Sequence, residues 1–203
     1  KSGSVGLASS LAASVVASAL LFAMPAHAYL KLYESFGTKR LDVRWTAFPI
    51  RYYISDRMTP SAISLQQFQS TIADSFGVWQ AVASASVSAQ FAGLTSALPG
   101  DEDRQTTLGF LNRPDLADVL GATGVVLDEE TGEILDADIF FNGSIPWSTA
   151  ANGEAGRFDL ESVAVHEIGH LFGLNHSGLG NIATRAGGFK VIDAESVMFP
   201  VAF

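Results

Sequence analysis

The chain has no cysteine among its 203 residues and only four histidines. The absence of cysteine excludes disulfide bonds, cysteine-ligated metals and a thiol nucleophile. It does not exclude an extracellular location, because a chain of this length can bury a core that needs no cross-links. Hydrophobic residues make up 48% of the sequence, which fits a single domain with a substantial core.

Basic residues are also few, at 12 against 21 acidic ones, and they are scattered along the chain. The formal net charge is −9. Nucleic acid and anionic membrane surfaces are therefore not expected as partners. We interpret the acidity mainly as a source of solubility, with calcium binding as the weaker alternative.

Long apolar runs are missing, with one short exception near the amino terminus. Lys1 is the only charged residue before Lys31, an apolar run spans residues 11–22, and Ala26-His27-Ala28 has a small-x-small pattern. The run is shorter than the ~20 residues that cross a bilayer. We therefore predict a cleaved signal peptide at residues 1–28, in preference to a membrane anchor. The mature chain, residues 29–203, would be secreted or periplasmic, without stable membrane association.

Hydrophobic periodicity predicts an α/β domain. Strands are expected within residues 41–54, 87–91, 106–111, 119–127 and 133–141. A long helix is expected to begin at Thr59-Pro60, and its apolar face recurs at helical spacing. That face consists of Leu65, Phe68, Ile72, Phe76 and Trp79. A second helix is expected from about residue 160 to 172, with Asp159 as its cap.

Two acidic groups allow either a structural or a cation-binding interpretation. Asp136 and Asp138 alternate with apolar residues, so both carboxylates lie on one face of a strand. We predict that this face is solvated and keep a cation site as the alternative. The triplet Asp101-Glu102-Asp103 is interpreted in the same way, as a solvated turn with a calcium site as the alternative.

The three histidines outside the signal-like segment all lie in residues 166–176. His166 and His170 are four residues apart and share one face of a helix. Gly173 can end that helix in a left-handed conformation and turn His176 back towards them. Three nitrogen ligands with a fourth position left for water form a hydrolytic zinc site. Glu167, rotated by about 100° from His166, would flank this zinc and not bind it. The alternative is that these histidines are ordinary core residues.

The pattern His166-Glu167-x-x-His170-x-x-Gly173-x-x-His176 resembles the zinc-binding motif of the metzincin endopeptidases. The segment Ser196-Val197-Met198-Phe199-Pro200 looks like the Met-turn of that clan, in which Met198 would form an apolar floor under the metal. Ser177 is similar to the residue found there in the matrixin family. Weaker similarity to matrixins extends upstream to about Trp45.

The resemblance implies a metzincin fold, in which a twisted, mostly parallel sheet has an antiparallel edge strand and the second of two long helices carries the zinc. A protein or peptide substrate would bind along the edge strand at Leu120, Gly121, Ala122 and Thr123. Pro200-Val201-Ala202 would line the adjacent pocket. One catalytic Zn²⁺ would polarise the scissile carbonyl and acidify its water, and Glu167 would act as the general base. We expect a monomer.

The chain also departs from the matrixin pattern. It lacks the propeptide cysteine that blocks zinc in many matrixins and the histidines that bind a second zinc in many animal ones. Ala202 stands where the family often has tyrosine. Matrixins continue into a C-terminal helix, so we expect the catalytic domain to lack that helix as given. The alternative function is a non-catalytic zinc-binding module, or a peptidase with a very narrow target.

Overall fold

The computed structural model describes residues 31–36, 38–101, 103–176, 181–183, 189–191 and 197–198. The predicted signal peptide lies outside these residues. The helices are α1 (Leu65–Gln80) and α2 (Leu160–Leu171). The strands are β1 (Tyr33–Phe36), β2 (Lys39–Asp42), β3 (Ile50–Ser55), β4 (Ala89–Thr95), β5 (Thr107–Leu111), β6 (Gly121–Leu127), β7 (Ile134–Asn142), β8 (Trp147–Ser148), β9 (Phe158–Asp159), β10 (Asn181–Ala183) and β11 (Phe189–Val191).

The central sheet has five strands in the order β4-β3-β5-β7-β6. The pairs β3–β4, β3–β5 and β5–β7 are parallel, and only β6 runs antiparallel to its neighbour β7. The predicted mostly parallel sheet with an antiparallel edge strand is confirmed. No helix among the described residues has both the length and the apolar character that a bilayer crossing requires.

Helix α1 begins five residues after the predicted start at Thr59-Pro60, so that prediction was wrong. Ser64 is the cap, and its hydroxyl accepts a hydrogen bond from the Gln67 N–H while the Gln67 side chain accepts one from the Ser64 N–H. This reciprocal capping box satisfies two donors at the helix start. The Ile63 N–H donates to the Pro60 carbonyl instead, which makes Pro60 part of the turn that precedes the helix.

The predicted apolar face of α1 packs on one face of the sheet. Phe68 is fully buried and its ring lies 4.8 Å from that of Phe110 and 5.7 Å from that of Phe141. Further along the helix, Phe76 stacks on Tyr52 at 4.3 Å. The indole of Trp79 donates to the Val165 carbonyl of α2 at 2.8 Å, so the two helices are joined side by side over the same face.

The opposite face of β7 is covered by the loop that precedes β5, and the prediction of a solvated face for Asp136 and Asp138 was wrong. Their exposed fractions are 3% and 9%. Asp138 accepts hydrogen bonds from the N–H groups of Thr107 and Gly100, and Asp136 accepts one from Arg104. The carboxylates therefore bind the backbone of a loop that crosses the sheet, which is a long-range contact.

The acidic turn in the same loop agrees with its predicted solvation. Asp101 and Asp103 are exposed, and each accepts a local hydrogen bond, from the N–H groups of Leu98 and Gln105 respectively. Glu102 lies outside the described residues.

Candidate metal centre

Helix α2 starts and ends as its sequence predicts. Asp159 is the cap and accepts a hydrogen bond from the Ser162 N–H at 2.8 Å. At the other end Gly173 has a φ of 89°, and the Leu174 N–H donates to the Gly169 carbonyl. A Cβ on residue 173 would also lie 2.9 Å from the Val43 carbonyl oxygen. Only glycine meets both demands without strain, and this turn directs the following residues back along the helix.

The turn brings the three histidines together. The Nε2 atoms of His166, His170 and His176 are separated by 3.1, 3.1 and 3.2 Å. Two nitrogens bound to a tetrahedral zinc at ~2.0–2.1 Å would be roughly 3.3 Å apart. Among the described residues these histidines form a group whose ligand atoms could hold one metal ion. The donor set and its spacing therefore fit zinc.

Hydrogen bonds on the other ring nitrogens fix the tautomers of two of these histidines. The Nδ1 atoms of His166 and His170 lie 2.6 Å and 2.8 Å from the carbonyl oxygens of Val197 and Leu174. A carbonyl only accepts, so each Nδ1 carries the hydrogen and each Nε2 keeps its lone pair for a metal.

Burial favours the neutral forms of His170 and His176. It lowers the pKa of His170 to about 4, and it also lowers the pKa of His176. Neutral imidazole is the form that binds metal, so these rings are ready to act as ligands near pH 7.

Glu167 lies on the side of α2 that faces the edge strand β6. It is 6% exposed, and the Thr123 hydroxyl donates to its Oε2 at 2.8 Å. Burial raises the pKa of Glu167, while the Thr123 hydrogen bond and the neighbouring His166 oppose that rise. A buried carboxyl beside a histidine cluster, with its pKa raised, suits proton transfer at near-neutral pH.

Met198 is fully buried against helix α2. A Cβ on Gly169 would overlap the Met198 sulfur and would lie 2.8 Å from Cζ2 of Trp79. Gly169 stands between His166 and His170, so Met198 contacts the helix directly behind the histidine cluster. The Met-turn resemblance predicts an apolar methionine at this position.

The structure describes some of the predicted substrate-binding residues and not others. Gly121 and Ala122 are on β6, and Leu120 precedes it, with its carbonyl accepting from the Asn142 N–H. The predicted pocket wall Pro200-Val201-Ala202 and Ser177 lie outside the described residues.

Two residues make side-chain contacts in this region that the sequence did not predict. One is Thr123, through its contact with Glu167. The other is Asn142, which is fully buried and whose amide donates to the carbonyls of Arg113, Leu116 and Val119. It thereby fixes the segment that leads into β6. An apolar-flanked Asn at a strand end was the available signal, but its partners lie more than 20 residues away.

The mostly parallel five-stranded sheet, with a three-histidine cluster on and just after the second helix, is consistent with the metzincin fold. The family model for matrixin peptidases matches residues 44–182, well over half of the chain. The chain belongs to the matrixin family. No curated protein matches it closely enough to serve as a relative.

Proposed function

We propose that this chain is a zinc-dependent endopeptidase that hydrolyses peptide bonds in protein or peptide substrates. The observation that supports it most directly is the convergence of three Nε2 atoms within 3.2 Å of one another, with a buried carboxyl next to the first histidine. His166, His170 and His176 would hold one zinc ion. When bound there, zinc supplies Lewis acidity towards the scissile carbonyl and makes a water molecule more acidic.

Glu167 performs the proton transfers in this proposal. Its carboxylate accepts a proton from the attacking water as the C–O bond forms. It then delivers that proton to the leaving amine as the C–N bond breaks. Water is the nucleophile, so no residue of the chain forms a covalent intermediate.

The outer edge of β6, which pairs with no other strand among the residues that the structure describes, is the proposed substrate-binding surface. The Leu120 carbonyl accepts from Asn142, so hydrogen-bonded pairs with β7 recur at residues 122, 124 and 126. The main-chain groups of Gly121, Thr123 and Val125 then point away from β7. An extended peptide added at this edge would pair with those groups, which favours recognition of main chain over particular side chains.

The test combines metal analysis with a digest of a broad peptide library by the full chain. We expect one tightly bound zinc per chain, general cleavage, loss of cleavage after chelation and recovery when zinc is added back. Chelator that has been saturated with zinc beforehand is the matched control and should leave activity intact. Zinc binding with no cleavage would favour the non-catalytic or narrow-target alternative. Two tightly held zinc ions would contradict the proposed site.

A further inference from the structure

Thr123 makes the side-chain contact that links the edge strand to the glutamate. Its Oγ1 lies 2.8 Å from Oε2 of Glu167 and 2.9 Å from the Glu167 main-chain oxygen. The two residues are 44 positions apart in the sequence. The hydroxyl therefore occupies a position between the carboxylate and the helix backbone.

Two residues before Thr123, Gly121 leaves space beside β6 for the Glu167 side chain. Gly121 shares its face of β6 with Thr123, because side chains alternate along a strand. A Cβ on residue 121 would lie 3.4 Å from Cγ of Glu167 and 3.0 Å from the Phe140 carbonyl oxygen. Gly121 and Thr123 together form the surface of β6 on which the Glu167 side chain packs.

We propose that Thr123 is the positioning residue for Glu167, holding Oε2 so that Oε1 is the oxygen that exchanges protons. This inference rests on the proposed function. Glu167 has three side-chain torsions, and a hydrogen bond to one oxygen limits the orientations of the carboxylate. A positioned base is far more effective than one that must be oriented during the reaction.

A hydroxyl suits this role in both states of the base. It has one donor and can also accept. It donates to Oε2 while Glu167 is a carboxylate. When Oε1 of Glu167 carries the proton, Oε2 still accepts the hydrogen bond from the Thr123 hydroxyl. The contact survives the proton transfer, and Thr123 itself neither gains nor loses a proton.

The same residue also lies on the proposed substrate edge. The main-chain groups of Thr123 point off the free side of β6, whereas its side chain holds the base. Thr123 thus contributes its main chain to the proposed substrate edge and its side chain to the orientation of Glu167. Loss of the hydroxyl should leave the main-chain contacts with substrate in place, so its effect should fall on kcat and not on KM.

The first test compares Thr123→Val with Thr123→Ser, using a fluorogenic peptide chosen from the library digest. Valine keeps the β-branched shape and removes the hydroxyl. We expect Thr123→Val to lower kcat by roughly 10- to 100-fold, as for loss of a hydrogen bond to a charged group, with KM nearly unchanged. Thr123→Ser should restore most of kcat. Zinc content and the thermal unfolding midpoint should match the wild type in both variants.

A double-mutant cycle separates positioning from general structural damage. In a Glu167→Gln background, Thr123→Val should cause little further loss, because the two residues act through one step. An equal fractional loss in both backgrounds would overturn the proposal. So would wild-type kcat in Thr123→Val, or an effect confined to KM.

A spectroscopic readout keeps the inference testable even if no peptide is cleaved, which would count against the proposed function instead. Cobalt(II) placed in the zinc site has visible absorption bands that respond to groups beside the open coordination position. We expect Thr123→Val to change these bands and Thr123→Ser to leave them as in the wild type, with Glu167→Gln as the positive control. If Glu167→Gln changes the bands but Thr123→Val does not, Thr123 does not position Glu167.

Discussion

Glu167 and His170 lie less than one turn apart on α2, yet their surroundings give them different roles. Glu167 contacts the edge strand through Thr123, and its pKa is raised by burial. His170 directs Nε2 to the other two histidines and donates from Nδ1 to the Leu174 carbonyl. In the proposed mechanism Glu167 transfers protons and His170 binds the metal, so substitution should separate these roles.

Glu167→Gln should keep zinc and lose turnover, because no metal ligand is removed while a positioned base is. Such a base typically contributes 10²–10⁴-fold to the rate, and we expect a loss of about that size in kcat. His170→Ala should lose zinc and activity together. Zinc content and peptide hydrolysis, measured side by side on both variants, check this. Full activity in Glu167→Gln would show that another group is the base.

The loop before β5 shows how one element is held against another. The backbone N–H groups of Gly100 and Arg104 in this loop, and of Thr107 at the start of β5, donate to carboxylates that β7 presents on this face. Burial raises the pKa of Asp138 to about 6, although its hydrogen bonds from Thr107 and Gly100 favour the charged form. The contribution of Asp138 to the free energy of unfolding should therefore depend on pH.

The sign follows from the raised pKa. Asp138 binds a proton in the folded protein up to about pH 6, whereas an unfolded aspartate releases it near pH 3.8. Its contribution to the free energy of unfolding is full below about pH 4 and is lost as pH rises to about 6. The change is on the order of 3 kcal/mol at most.

Urea denaturation from pH 4 to 7.5 tests this on the wild type and on Asp138→Asn, which does not titrate. The wild-type stability, relative to the variant, should fall across the window. Asp115→Asn is the control, because Asp115 lies on the surface and Arg113 lowers its pKa. This variant should lose stability between pH 4 and 7.5 as the wild type does. Parallel pH curves for the wild type and Asp138→Asn would contradict the prediction.

The first described residues after the predicted signal peptide pair with the turn that follows α2, beside the histidine cluster. Lys31 forms a bridge with Leu174, and the Leu32 N–H donates to the Gly173 carbonyl at 2.8 Å. The predicted new amino terminus, Tyr29, would thus lie two residues before a segment that pairs with the turn after α2. Export and processing are proposed from the sequence of residues 1–28.

Amino-terminal sequencing of the exported protein should find Tyr29 first. Signal cleavage requires small side chains near the cut, so Ala28→Trp should be processed poorly while the wild type is processed fully. Retention of residues 1–28 on the wild-type protein in a membrane fraction would show that the segment is an anchor.

The sequence alone determined the features that depend on spacing within one element. The interval between His166 and His170, the cap at Asp159 and the turn at Gly173 are consequences of helix geometry, which acts over a few residues. The apolar face of α1 followed from the same periodicity. The start of α1 was predicted wrongly at Thr59-Pro60, because the reciprocal capping box of Ser64 and Gln67 begins the helix five residues later.

Only the tertiary structure decided which side chains from different elements meet. Alternation along β7 put Asp136 and Asp138 on one face, but the path of a distant loop made that face buried. The same holds for Thr123 and Glu167, because the packing of β6 beside α2 brings them into contact. Local patterns are fixed by backbone geometry, whereas contacts between elements depend on how the loops route the chain and how the core packs.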